Sequence, residues 1–125
     1  MKNLKVSLVV LITAFTFYSC SNNNSPEDEV LIRLSNVSAY DYKTIKVNNT
    51  SFGNVNQGEK SEYKVFKLAY RYGFVELEID GSTYTIQPID YVGETPLGSG
   101  KYTYQIDAND SQEQYGKLSL EFIVD

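Results

Sequence analysis

The sequence predicts an all-β body, a seven-stranded antiparallel two-sheet sandwich, set behind an apolar leader and a polar tether. Three observations predict it. Apolar and polar residues alternate with a period of two in successive runs between Val30 and Val124. The runs are short and are separated by clusters of Gly, Asn, Ser and Asp, which interrupt strands and make turns. Tyrosine, a good strand former, occurs 11 times. The chain then divides into a leader, residues 1–19, a cysteine with a flexible acidic tether, residues 20–29, and the β domain, residues 30–125.

The leader begins with Lys2 and Lys5 and continues as an almost uniformly apolar run from Val6 to Tyr18. That run is short of the roughly 20 residues a membrane-spanning helix needs. Its charge order and length match a secretory signal peptide. Cys20, the only cysteine, closes the run and follows the small residue Ser19. A lone cysteine has no intramolecular disulfide partner. The tether, Ser21 to Glu29, is polar, contains Pro26 and ends in Glu27, Asp28 and Glu29, a composition that buries nothing.

The first expected strand is Val30 to Ser35, with Val30, Ile32 and Leu34 inward and Arg33 outward. Asn36 to Tyr42 reads as a connection, and Lys43 to Asn48 as a second strand with Ile45 and Val47 inward. Asn48 to Gly58 is rich in Asn, Ser and Gly and reads as a loop. Ser61 to Lys67 is the third strand. Tyr70 to Asp80 is the longest β-like run, in which Val75, Leu77 and Ile79 alternate with Glu76 and Glu78. Asp80-Gly81-Ser82 predicts a hairpin turn, and Ser82 to Ile89 the returning strand, with Tyr84 and Ile86 inward and Pro88 ending the pairing. After a crossover, Asp90 to Gly100, Lys101 to Asp107 points Tyr102, Tyr104 and Ile106 inward. Tyr115 to Val124 is the last strand, with Leu118, Leu120, Phe122 and Val124 buried.

Two resemblances rest on these residues. Leu97-Gly98-Ser99-Gly100-Lys101-Tyr102 resembles the Leu-x-Pro-Gly-x-Tyr corner of fibronectin type III and related immunoglobulin-like domains, with Ser99 in place of the proline. In those domains a tyrosine at the start of a late strand bonds back to the corner before it. The leader and Cys20 resemble a bacterial lipoprotein signal. That resemblance implies that Cys20 becomes the acylated mature N-terminus and that the protein is lipid-anchored at the outer membrane. Ser21 resembles an outer-membrane sorting residue, and the acidic cluster resembles the surface-export signal of Bacteroidetes lipoproteins, so either face of that membrane stays open. Two or more acyl chains anchor stably, at about 0.8 kcal/mol per buried methylene. Through SNVSAYDY, GEKSEYKVFKLAYRYG and QPIDYVGETPLGSGKYTY, the domain is similar to small Bacteroidetes lipoproteins of uncharacterised function.

Histidine and tryptophan are absent, which leaves no nucleophile–histidine pair and no Cys/His zinc set. Losing residues 1–19 removes two lysines and takes the net charge below the whole chain's −5, a balance that disfavours nucleic acid. Glu76 and Glu78 sit on an outward strand face, where solvated carboxylates are the ordinary outcome. Asp107, Asn109, Asp110, Ser111 and Glu113 alternate faintly like a calcium loop, without the glycine and closing glutamate that such a loop uses. No metal, cofactor or catalytic residue is expected.

The candidate ligand-binding residues are Tyr70, Tyr72 and Phe74. In strict alternation they share the outward face with Glu76 and Glu78, making an aromatic strip fit for recognition. A β-bulge at Gly73 would instead turn the rings into the core. Tyr40, Tyr42 and Tyr91 fall in connections and could extend a core edge or a binding patch. The expected function is a non-catalytic binding or accessory module of the cell envelope, held by its lipid, with a protein or a glycan as ligand. The alternatives are an assembly subunit that polymerises by strand addition and a small enzyme.

Overall fold

The computed structural model describes residues 29–88 and 94–125. They form eight strands and no helix: β1 (Val30–Asn36), β2 (Tyr42–Val47), β3 (Thr50–Val55), β4 (Lys64–Phe66), β5 (Val75–Ile79), β6 (Ser82–Ile86), β7 (Gly100–Ala108) and β8 (Leu118–Val124). They make two four-stranded sheets, ordered β4-β1-β7-β8 and β3-β2-β5-β6. The apolar residues of the two facing surfaces form one core, with Ile32, Leu34, Ile45, Val47, Leu77, Tyr104 and Ile106 fully enclosed. A two-layer β body is therefore what the alternation produces.

Two features of the expected sandwich are corrected. There are eight strands rather than seven. And the pairing is not antiparallel throughout, because β1 runs parallel to β7 from Val30↔Gly100 to Asn36↔Ile106. Parallel neighbours need long connections, and here most of the chain lies between the two.

The extra strand is β3, inside the stretch that reads as a loop. Asn48 and Asn49 both take positive φ, 47° and 70°. That is the backbone of a two-residue hairpin turn, for which Asn is suited. The β2–β3 register shifts twice, between Tyr42 and Ile45 and between Ile45 and Lys46. Bulges shift the phase of alternation, so the buried residues of β3, Phe52 and Val55, stand three apart.

Other expected bounds move. β5 begins only at Val75, and residues 70–74 are not strand. β4 is confined to three residues, preceded by a single bridge from Ser35 to Lys60. β8 starts at Leu118, and as the edge of its sheet it leaves Leu118, Leu120 and Phe122 half-buried and Val124 69% exposed, against the expectation that all four are buried. The Asp80-Gly81 turn holds as expected, with φ of 50° and 82° and Ile79 paired with Ser82.

Tyr42, expected in a connection, opens β2 and is 1% exposed, its hydroxyl donating to the Ile106 carbonyl at 2.9 Å. Burial pushes its pKa up to about 12. The outer face of the first sheet carries a polar knot. Thr103 and Tyr63 each donate to Asp125 Oδ2 at 2.7 Å, and the Arg33 guanidinium stands 3.6 Å from the same oxygen. Partial burial opposes the charged Asp125 carboxylate, but the bonds from Thr103 and Tyr63, with Arg33 and Lys60 nearby, outweigh it and hold its pKa below the usual value. This knot buries Thr103 on a face that reads as solvent-exposed.

Connections gather at the two ends of the strands. At the near end, where Glu29 enters, lie the 48–49 turn, residues 67–74 and, of the connection into β7, residues 87–88 and 94–99. At the far end lie residues 37–41, 56–63, 80–81 and 109–117.

Candidate functional site

The near end is assembled by backbone groups held in fixed places. The Tyr102 hydroxyl donates to the Gly98 carbonyl at 2.7 Å, so the tyrosine closes the corner that precedes its own strand. Gly100 takes a φ of 150°, and a Cβ there would lie 3.4 Å from the Tyr102 hydroxyl oxygen. Its N–H donates to the Glu29 carbonyl at 2.9 Å, which fixes where the tether joins the body. Leu97 N–H donates to the Ala69 carbonyl at 2.8 Å, tying the corner to the segment that carries the candidate aromatics.

That segment is pinned again further along. The Tyr104 hydroxyl bonds the carbonyls of Tyr70 and Tyr72, the latter at 3.3 Å. Phe74 N–H donates to Asn48 Oδ1 at 3.0 Å, and Asn48 N–H donates to the Phe74 carbonyl at 2.9 Å. Between them Gly73 is buried, and a Cβ on it would stand 3.1 Å from Asn48 Nδ2 and 3.3 Å from Val47 Cγ1. The glycine is there for close approach to the hairpin turn.

Tyr70, Tyr72 and Phe74 are each half-buried. They form neither the exposed strip of strict alternation nor a set of core side chains, because their segment does not alternate as a strand does. Downstream, Val75, Leu77 and Ile79 are buried, Glu76 is exposed and Glu78 is half-buried.

Beside this segment lies a groove of about 530 Å³, between the corner and the end of β8. Its apolar lining comes from Pro96, Leu97, Tyr102, Phe122 and Val124, and Arg71 and Glu94 add one charge of each sign. The Tyr102 and Phe122 rings stack with centroids 5.4 Å apart and planes inclined at 27°. Of the three expected aromatics none lines it; the residue between two of them, Arg71, does. The sequence signal that was present is the run of apolar residues at the end of β8, next to a Gly-Ser-Gly corner. It reads as core until β8 is known to be an edge. Cys20 and Tyr91 lie outside the described residues.

At the far end the loop that faintly resembles a calcium site spends three of its side-chain oxygens on its own amides. Asp107 Oδ1 accepts from Ala108 N–H, Asn109 Oδ1 from Ser111 N–H and Ser111 Oγ from Glu113 N–H, at 2.8, 2.8 and 3.1 Å. Tyr40 reaches this loop, donating to Asp110 Oδ1 at 3.2 Å, and that bond, with some desolvation, raises its pKa.

In comparisons with known proteins, no family model, no curated protein and no solved structure matches this chain.

Proposed function

We propose that the chain is a lipid-anchored, non-catalytic binding module of the bacterial envelope, of the Bacteroidetes lipoprotein type, attached to the outer membrane through acylated Cys20. Its ligand is a glycan or an envelope protein, and its binding site is the near-end groove. The observation that carries this reading is the groove itself. Its volume of about 530 Å³ falls within the range of roughly 300–1,000 Å³ usual for ligand sites. Stacked rings flanked by a cation and an anion suit a sugar face or a short peptide. The Tyr102–Gly98 bond supports kinship with fibronectin type III and immunoglobulin-like domains, while the parallel β1–β7 pair departs from an all-antiparallel version of that architecture.

The anchored full chain should retain a defined ligand on glycan arrays or among cross-linked outer-membrane proteins. Arg71→Ala, an exposed substitution, should weaken that ligand about tenfold or more, the loss of one charged contact, without lowering the melting temperature. Binding indifferent to Arg71→Ala would remove the groove from the account.

A second reading, an assembly subunit that grows by strand addition, is favoured by β8. It is the last strand of its sheet, pairs with β7 over seven residues without a register shift, and carries a single charge, Glu121. Such an edge invites another strand. Ladders on native gels would support that reading, and a monomer at all concentrations would oppose it.

A further inference from the structure

Lysine is almost never fully buried without a partner, yet Lys117 is 2% exposed. Among the described residues the ion pair formed is Arg33–Asp125, so no carboxylate neutralises Lys117. Instead its Nζ donates to the carbonyls of Asn109 and Ser111 at 2.8 and 3.0 Å. It also stands 4.6 Å from the ring centroid of Tyr40 and 5.1 Å from that of Tyr84. Two carbonyl oxygens and two π faces thus present negative potential to one point.

The same point is where three pieces of the far end meet. The loop closes on itself through Asn109 N–H to the Lys117 carbonyl at 2.9 Å and Asn109 Nδ2 to the Gly116 carbonyl at 3.0 Å. It docks on β6 through Thr85 N–H to the Gln114 carbonyl at 2.8 Å. Tyr40 brings in the β1–β2 connection through Asp110. The ammonium is the hub of all three.

We infer that the far end is built around an ammonium-binding site, two backbone carbonyls and two tyrosine rings, which the chain fills with its own Lys117. The chemistry selects a primary alkylammonium ion. A metal ion would meet two protein carbonyls, while Asn109 Oδ1 and Ser111 Oγ already accept from amides and no group of three metal-ligating side chains stands among the described residues. A quaternary ammonium suits the rings but has no N–H for the carbonyls. Shortening the side chain should therefore leave a receptor for a free alkylamine. This site is separate from the near-end groove and does not rest on it.

The test is melting of the full chain carrying Lys117→Ala, at fixed ionic strength. The variant should melt lower by on the order of 5–10 °C, as for a lost buried network in a domain of this size. Millimolar n-propylammonium, which replaces the three carbons and the nitrogen that the substitution removes, should restore most of that loss and leave the wild type unmoved. Tetramethylammonium should restore less, and calcium nothing beyond the salt control. No recovery with n-propylammonium, or equal shifts in the wild type, would overturn the inference. Should Lys117→Ala fail to fold, the wild type decides. Nitrogen-15 NMR should show a slowly exchanging Lys117 ammonium signal with contacts to the Tyr40 and Tyr84 ring protons, whereas exchange like that of a solvated lysine would overturn it.

Discussion

At the scale of single residues, the tyrosines divide by what their hydroxyls reach. Tyr42, Tyr102 and Tyr104 donate to main-chain carbonyls of Ile106, Gly98 and the 70–72 segment. Tyr42 and Tyr104 cross from one element to another, each ring filling core while its hydroxyl satisfies main-chain carbonyls, whereas the half-buried Tyr102 closes the corner before its own strand. Tyr42 makes this measurable. Its folded-state pKa of about 12 lies above the unfolded value near 10, so the fold favours the protonated phenol. That contribution is complete below the unfolded pKa and is lost as pH rises through the window from about 10 to 12. Urea titrations across this window should show stability falling with pH. The fall should be shallower in Tyr42→Phe, which itself should cost about 1 kcal/mol at neutral pH for the missing bond. Equal slopes in both proteins would place the alkaline sensitivity elsewhere.

At the scale of elements, the strands that were legible in the sequence are those whose core-facing residues recur with a period of two. β5 shows the one-faced pattern most fully, with Val75, Leu77 and Ile79 buried. The inward residues Ile32 and Leu34 of β1, Tyr84 of β6 and Tyr104 and Ile106 of β7 are buried as their alternation predicts, and the Asp80-Gly81 turn forms as expected. β3 was hidden because its bulged pairing destroys the alternation, and because Asn48-Asn49 reads as loop composition although it takes a hairpin turn's backbone. Residues 70–74 erred the other way: alternating aromatics imitate a strand, while Gly73 must slip beneath Asn48. The groove was illegible for a related reason, since whether Phe122 and Val124 are covered depends on which strand is outermost. Lys117 gave no sequence signal beyond a charge just before an apolar strand. Gly73→Ala tests the close approach. The new methyl group would press on Asn48, whose backbone and side chain are both engaged by Phe74 and cannot yield freely. A loss of roughly 1–3 kcal/mol is expected, as for overpacking, read by chemical denaturation. A neutral result would mean that the segment can lift away.

At the scale of the whole molecule, the two ends of the sandwich differ. The near end takes the tether at Glu29 and carries the groove. The far end carries Asp41, Glu59, Glu62, Asp80, Asp110 and Glu113 in its connections, with Lys60 and the buried Lys117 as their basic residues. In a chain anchored through Cys20, the nine residues from Ser21 to Glu29 reach at most roughly 30 Å, about the length of the longest strand. The near-end groove would then work close to the membrane, and the acidic far end would face away from it. An envelope ligand met at the groove is consistent with that placement. All of this depends on the anchor. The most direct measurement is intact-mass and peptide mass spectrometry of the protein purified from its own membranes. The mature chain should begin at Cys20, lack residues 1–19 and carry a thioether-linked diacylglycerol on that sulfur. A free Cys20 thiol, or a leader still attached, would contradict the lipid anchor.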